Sequence, residues 1–206
     1  MDQVFLLSPA RCDGERAKLL LNRKAEFDLA RRVRSEGAPI GEVFSFLSGL
    51  YFRGKLAYAR AFGSWPGGSP AYVITANRGL VPPETIVQHR HLVAFSKVEI
   101  AAAGARHRVP LRRDVERLAS LLGPSGSNRA ILLGSIATGK YADTLVDVFG
   151  ERVLFPTEFV GRGDMSRGGL LLRHVRAGRE LEYQPIVGAV RHGTRPPKLT
   201  RISSAV

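Results

Sequence analysis

Apolar positions along the chain fall into two periods. Val4-Phe5-Leu6-Leu7 is a short apolar run closed by Ser8-Pro9, as expected of a buried strand. From Glu15 to Arg34, Leu19, Leu20, Phe27, Ala30 and Val33 recur at helical spacing between charges, and Gly37-Ala38-Pro39 ends the pattern. A second helix is predicted from Gly41 to Phe62, with Phe44, Leu47, Leu50, Tyr51, Tyr58 and Phe62 on its apolar face. Gly49 and Gly54 each weaken it by about 1 kcal/mol relative to alanine. The tract from Gly63 to Pro70 is a loop, and Ala71–Thr75 a second strand that breaks at Asn77-Arg78-Gly79. Residues 84–110 are irregular apart from a short helix reaching Phe95. Leu111–Leu122 is a helix, with the turn Gly123 to Ser127 closing it.

The remainder alternates. A strand at Ala130–Leu133, a helix at Tyr141–Phe149, a strand at Arg152–Phe155, a glycine-rich turn, a helix at Ser166–Arg176 and a strand at Leu181–Ile186 follow one another. Such alternation predicts one α/β domain over residues 1–190, with a mostly parallel sheet and helices on both faces. The tail 191–206 shows no period and is expected to be mobile.

At 206 residues, with 44% hydrophobic and 24% charged positions, the chain is long enough to bury a core without metal or disulfide staples. No apolar run reaches the roughly 18–20 residues of a membrane span, and Met1 to Ala10 carries an acid where a leader would be basic. A cytoplasmic protein with no membrane partner is the expectation. The charge balance is unusual: 31 Lys+Arg against 18 Asp+Glu gives +13, which favours a nucleic acid or nucleotide as partner. Arginine outnumbers lysine 25 to 6, as GC-rich coding also produces, so charge alone leaves both readings open.

In a parallel sheet, ligands gather beyond the carboxyl ends of the strands, where the following helices point free N–H groups. Four segments qualify. Ser8 to Cys12 carries Ser8 as a candidate catalytic residue and Arg11 as an anion ligand, and Arg78 and Gly79 follow the second strand. Gly134 to Lys140 fits G-x-x-x-x-G-K, so Gly134, Ser135, Thr138, Gly139 and Lys140 are candidates for a phosphate loop. Tyr141 stands where a P-loop needs a magnesium-binding hydroxyl, so the loop would hold phosphate without metal, or be a tight turn only. Pro156 to Gly163 is the fourth, and the overlapping run Gly161 to Gly169 brings Arg162, Gly163 and Arg167, while Asp164 is either a catalytic acid or a helix cap. Lys140 and Arg162 together are expected to hold one anionic group over two helix N-termini.

Three other features have bland and functional readings. Cys12 lies beside Arg11 and Arg16, which would depress a thiol pKa if the residue is not simply buried. His89 and His91 suit one strand face but lack a third ligand, so no metal and no cofactor are expected. Trp65 is a base-stacking platform or a loop anchor.

The opening Phe5-Leu6-Leu7-Ser8-Pro9-Ala10-Arg11 resembles the ILISPAK-type opening of the YaaA peroxide-stress family. The stretch Leu50 to Phe62, followed by Val73-Ile74-Thr75-Ala76-Asn77-Arg78-Gly79-Leu80-Val81-Pro82-Pro83, is similar to a segment shared by YaaA-like proteins and domains linked to deazaguanine modification of nucleic acids. The likeness covers about the first 85 residues, with Arg11 where the family has lysine and Cys12 where it has threonine. It implies a mixed α/β domain, DNA binding connected with stress or DNA damage, and Ser8, Arg11, Arg78 and Gly79 as site residues. The rival expectation is an enzyme acting on a nucleotide or nucleobase, of transferase or glycosidase type, with a metal-free phosphate loop.

Overall fold

Val4 to Leu7 have no exposed surface, and a strand buried on both faces requires packed layers above and below it. The computed structural model describes residues 2–100, 104–123 and 128–199 and supplies those layers. In chain order its first half runs β1 (Gln3–Leu7), α1 (Glu15–Leu21), α2 (Asp28–Arg34), β2 (Ala38–Pro39), α3 (Ile40–Ser48), α4 (Leu50–Phe62), β3 (Ala71–Ile74), β4 (Leu80–Val81) and β5 (Ile86–Val87). The second half runs α5 (His89–Ser96), α6 (Ala105–Leu122), β6 (Arg129–Leu133), α7 (Ala142–Phe149), β7 (Val153–Pro156), α8 (Asp164–Ala177) and β8 (Tyr183–Pro185).

Six strands form one sheet in the order β4-β3-β1-β6-β7-β8. The central four are parallel, with Leu7 opposite Val73 on one side and Leu133 on the other, while β4 and β8 close the edges antiparallel. The fold is therefore the predicted α/β sheet with helices on both faces. On one face α4 lies against β1 and β3 and packs on α8; elsewhere α6 packs on α7, which covers β7. Phe5 meets Tyr58 of α4 edge-on at 5.6 Å between ring centroids.

Two predicted helices are each divided. Gly49 takes φ +61 and ψ −129, a conformation open to glycine and not to a continuing helix, so the pattern from Gly41 to Phe62 becomes α3 and α4. Between α1 and α2 the chain turns at Asn22, whose side-chain oxygen accepts the Lys24 N–H at 2.9 Å. In contrast, α6 begins at Ala105, earlier than Leu111, and carries Pro110 inside it. His107 anchors that first turn: it is buried, and its Nδ1 bonds the Ala76 carbonyl at 3.1 Å. The carbonyl freed by Pro110 belongs to exposed Arg106, where water can serve it.

The contact between α4 and α8 is unusually close because glycine faces glycine. A Cβ built on Gly54 would stand 2.8 Å from the Gly168 carbonyl oxygen, and one on Gly168 would stand 2.8 Å from Tyr51 Cα. That crossing brings Tyr51 and Lys55 of α4 against the first turns of α8. The turn expected at 124–127 and the tail from 200 onward lie outside the described residues; residues 191–199 hold no helix or strand, and Arg191 pairs with Asp143 at 3.0 Å.

Candidate functional site

From β1 the chain crosses to β3, and from β6 it crosses the other way to β7, so the crossovers diverge between the carboxyl ends of β1 and β6. Such a switch point leaves a crevice that neither helix layer fills. Here it is a cleft of about 770 Å³. Its floor and one side come from Ser8 to Asp13 after β1 and from Ser135, Lys140 and Tyr141 after β6. Phe44, Leu47 and Tyr51 from α3 and α4, Phe95 to Ile100 around the end of α5, and Asp164 at the start of α8 complete it. The volume is within the roughly 300–1,000 Å³ typical of small-ligand sites.

Beneath the cleft lies Lys55, 1% exposed. Its Nζ bonds the Ser8 carbonyl oxygen at 2.6 Å and stands 2.9 Å from Ser8 Oγ. The rings of Tyr51 and Phe52 flank it, at 4.4 and 4.7 Å from Nζ to the centroids. Two uncharged oxygens and two rings compensate poorly for lost water. Burial pulls the ammonium pKa down to about 7; Asp164 pushes it back up, and Arg167 adds to the depression.

Two phenols share this floor. Tyr141 is buried against Ser8 and Ser135, and burial raises its pKa while those neighbours oppose the rise. The Tyr51 hydroxyl is buried and makes no hydrogen bond of ordinary geometry, and burial is again the main cause of its raised pKa, opposed by the charge and near approach of the Arg167 guanidinium. A buried unpaired hydroxyl is destabilising by about 1–3 kcal/mol, so its position on a cleft wall is notable. Elsewhere a buried phenol is fully engaged: Tyr58 accepts the Leu181 N–H at 2.7 Å and bonds Tyr183 at 2.6 Å.

Of the residues singled out in the sequence, Ser8, Arg11, Ser135, Lys140 and Asp164 line the cleft. Arg11 is 84% exposed at the rim and chelates Asp13 through two bonds of 3.1 and 3.0 Å. Gly134 sits just beneath: a Cβ there would come 2.9 Å from Ser8 Cβ and 3.0 Å from the Tyr141 hydroxyl. Thr138 is exposed on the same loop, and Gly139 makes a tight turn against the Asp143 carboxylate. Gly79, at φ +65, likewise belongs to a turn sealed by Asp114, whose carboxylate accepts the Leu80 N–H at 3.0 Å, and Arg78 points to solvent beside it.

The expected pairing of Lys140 with Arg162 is not formed. Arg162 is held in its own loop by the Glu158 carbonyl at 2.9 Å and Ser166 at 3.3 Å, with the Glu158 carboxylate at 3.8 Å, and it is not part of the cleft wall. Arg167 is also structural, giving two bonds to the Phe159 carbonyl at 3.2 and 3.0 Å, with Asp164 at 3.6 Å. Gly163, not Asp164, occupies the N-cap of α8; Asp164 is the first helical residue, 70% exposed and directed to the cleft.

The remaining candidates resolve as structure. Cys12 is buried, and loss of water with Asp13 nearby pushes its thiol up to about 12. His89 and His91 lie on a helix, one bonding the Leu21 carbonyl at 3.2 Å and the other accepting the Gln88 N–H at 3.0 Å in a capping box. Among the described residues no group of three or more His, Cys, Asp or Glu forms a metal-binding cluster. Trp65 packs partly against the core beside Ser64, which pairs with Gln3 at the amino end of β1, far from the cleft.

Lys55, Tyr51 and Tyr141 were not among the sequence candidates. Lys55 had a signal: it falls in phase with Tyr51, Tyr58 and Phe62 on the apolar face of α4, where a charge has no bland reason to be. Comparison with known families, curated proteins and solved structures finds no match to this chain.

Proposed function

We propose that the cleft is the active site of an enzyme acting on a nucleotide or nucleobase. The observation that carries this reading is convergence: Ser8, Lys140 and Asp164, from the ends of three different elements, line one cleft above a buried lysine. Each has a role that its surroundings support. Phe44, Phe95 and Tyr51 offer flat apolar walls to a heterocyclic ring. Lys140 and Lys97 stand at the rim as cations for a phosphate, and Arg11 joins them if a phosphate displaces Asp13. Asp164 accepts or donates a proton at a ring nitrogen or ribose hydroxyl. Ser8, Lys55, Tyr51 and Tyr141 form the polar floor against which reacting atoms would sit.

A second reading, a YaaA-like DNA-binding protein, is supported by the net charge of +13 and by the resemblance of the first 85 or so residues. The two readings respond differently to salt. Polyanion binding through phosphate contacts weakens steeply as salt rises, whereas a mononucleotide in an enclosed cleft makes few such contacts. Titrations of the full chain with AMP, GMP and a short DNA duplex, at low and at physiological salt, separate them. Mononucleotide affinity that survives added salt and is lost in Asp164→Ala or Lys140→Ala supports the enzyme. Duplex affinity alone, falling steeply with salt, would leave the DNA-binding reading in its place.

A further inference from the structure

We propose that Ser8 is a nucleophile whose proton is taken by Lys55, and that the cleft transfers or hydrolyses an ester- or amide-linked acyl group. The proposal rests on the cleft being an active site and adds the class of bond that is cut. It does not depend on which base or phosphate the cleft accepts.

The geometry is that of a serine–lysine pair. A nucleophilic hydroxyl needs a base within roughly 2.6–3.2 Å, itself held in place by a third group. Ser8 Oγ and Lys55 Nζ are 2.9 Å apart, and the Ser8 carbonyl oxygen, 2.6 Å from Nζ, fixes the amine's direction. Ser8 opens onto the cleft, whereas Lys55 lies behind it, so substrate meets the hydroxyl and not the amine.

The charged and titratable groups facing Lys55 are Asp164 and Arg167 from α8 and Tyr51 on its own helix. The two α8 charges act on it in opposite senses, and burial dominates, leaving a large neutral fraction near neutral pH. A neutral amine gives one N–H to the Ser8 carbonyl and offers its lone pair to the Ser8 hydroxyl. Tyr141 beside Ser8 and Tyr51 beside Arg167 stay protonated, because burial raises both pKa values, and so remain hydrogen-bond donors. Tyr141, whose hydroxyl lies against Ser8, is the group at hand to receive the developing oxyanion.

The step balances within the site. The Ser8 Oγ–carbon bond forms as the hydroxyl proton moves to Lys55; the tetrahedral adduct then collapses, the bond to the leaving alkoxide or amine breaks, and Lys55 returns the proton to it. Water, deprotonated by the same amine, releases the acyl group and restores the Ser8 hydroxyl.

The test treats the full chain with an alkyl fluorophosphonate, in which Ser8 oxygen would displace fluoride at phosphorus, and follows adduct formation by intact mass and peptide mapping between about pH 5.5 and pH 9. One adduct at Ser8 is expected, formed faster as pH rises through about 7 and levelling above it. Ser8→Ala should take no label, and Lys55→Met, checked for folding by circular dichroism, should label at least about 100-fold more slowly. No adduct, an adduct confined to another residue, or equal rates in Lys55→Met and wild type overturns the proposal. If Lys55→Met does not fold, the wild-type profile decides, and a flat one overturns it. The probe contains no nucleotide, so labelling without nucleotide affinity would discard the ligand assignment and keep the nucleophile.

Discussion

Raising the pH should stabilise the wild-type fold relative to Lys55→Met. In the unfolded chain Lys55 titrates at its ordinary 10.5, whereas burial lowers it to about 7 in the fold. Between those values the unfolded state binds more protons than the native one, so stability rises with pH. Below about pH 7 both states carry the charge, and the full desolvation penalty, roughly 5 kcal/mol for a shift of that size, opposes folding. As pH rises the native lysine sheds its proton and the penalty is relieved. Integrating the linkage relation from about pH 7 to about pH 9 gives about 2 kcal/mol of added stability from this group. Methionine has similar length and no charge, so Lys55→Met should lack the gain while every other titration cancels in the comparison. Urea unfolding of both proteins across that range provides the difference directly. Parallel stability curves would mean that Lys55 keeps its proton in the fold, with no neutral amine beneath Ser8.

Gly54→Ala places a methyl group 2.8 Å from the Gly168 carbonyl; overpacking costs about 1–3 kcal/mol, occasionally more, and outweighs the about 1 kcal/mol alanine lends a helix. Its thermal midpoint should fall by about 2–6 °C, and a rise would show that the α4–α8 crossing is loose. Lys140→Ala should weaken AMP binding by about 1.5–3 kcal/mol, at least tenfold in Kd, whereas Arg162→Ala, tied to Glu158 and Ser166, should leave it unchanged in calorimetry. Cys12, its thiol pushed up to about 12, should resist a thiol-specific reagent at about pH 8 until urea unfolds the chain; rapid native labelling would contradict its burial.

The sheet was legible because its strands are buried on both faces and therefore read as unbroken apolar runs between Gly, Pro and Ser. Parallel topology then placed the ends of β1, β3, β6 and β7 on one side, and with them Ser8, Ser135 and Lys140. Local reading failed where tertiary contact decides. Gly49 has no mark in the periodicity to distinguish it from Gly54, yet one breaks a helix and the other permits two helices to touch. Lys55 reads as one more solvated cation unless its phase on α4 is weighed, and its depth follows from that glycine crossing. Arg162 and Arg167 resembled anion ligands because arginine between glycines is open to either use; local carbonyls claimed them. Tyr141 departed from the phosphate-loop pattern, and the structure gives that departure a place, since its hydroxyl faces Ser8 and the base of the loop.

Amide shift mapping during an AMP titration tests most directly whether the cleft is a nucleotide site. Saturable shifts in the ¹⁵N–¹H spectrum are expected to centre on Ser8, Ser135, Lys140, Tyr51 and Asp164, with the residues around Trp65 at the far end of the sheet unmoved. Shifts spread over the exposed arginines of α6 and absent from the cleft, or no saturable shift at all, would contradict a nucleotide site in the cleft.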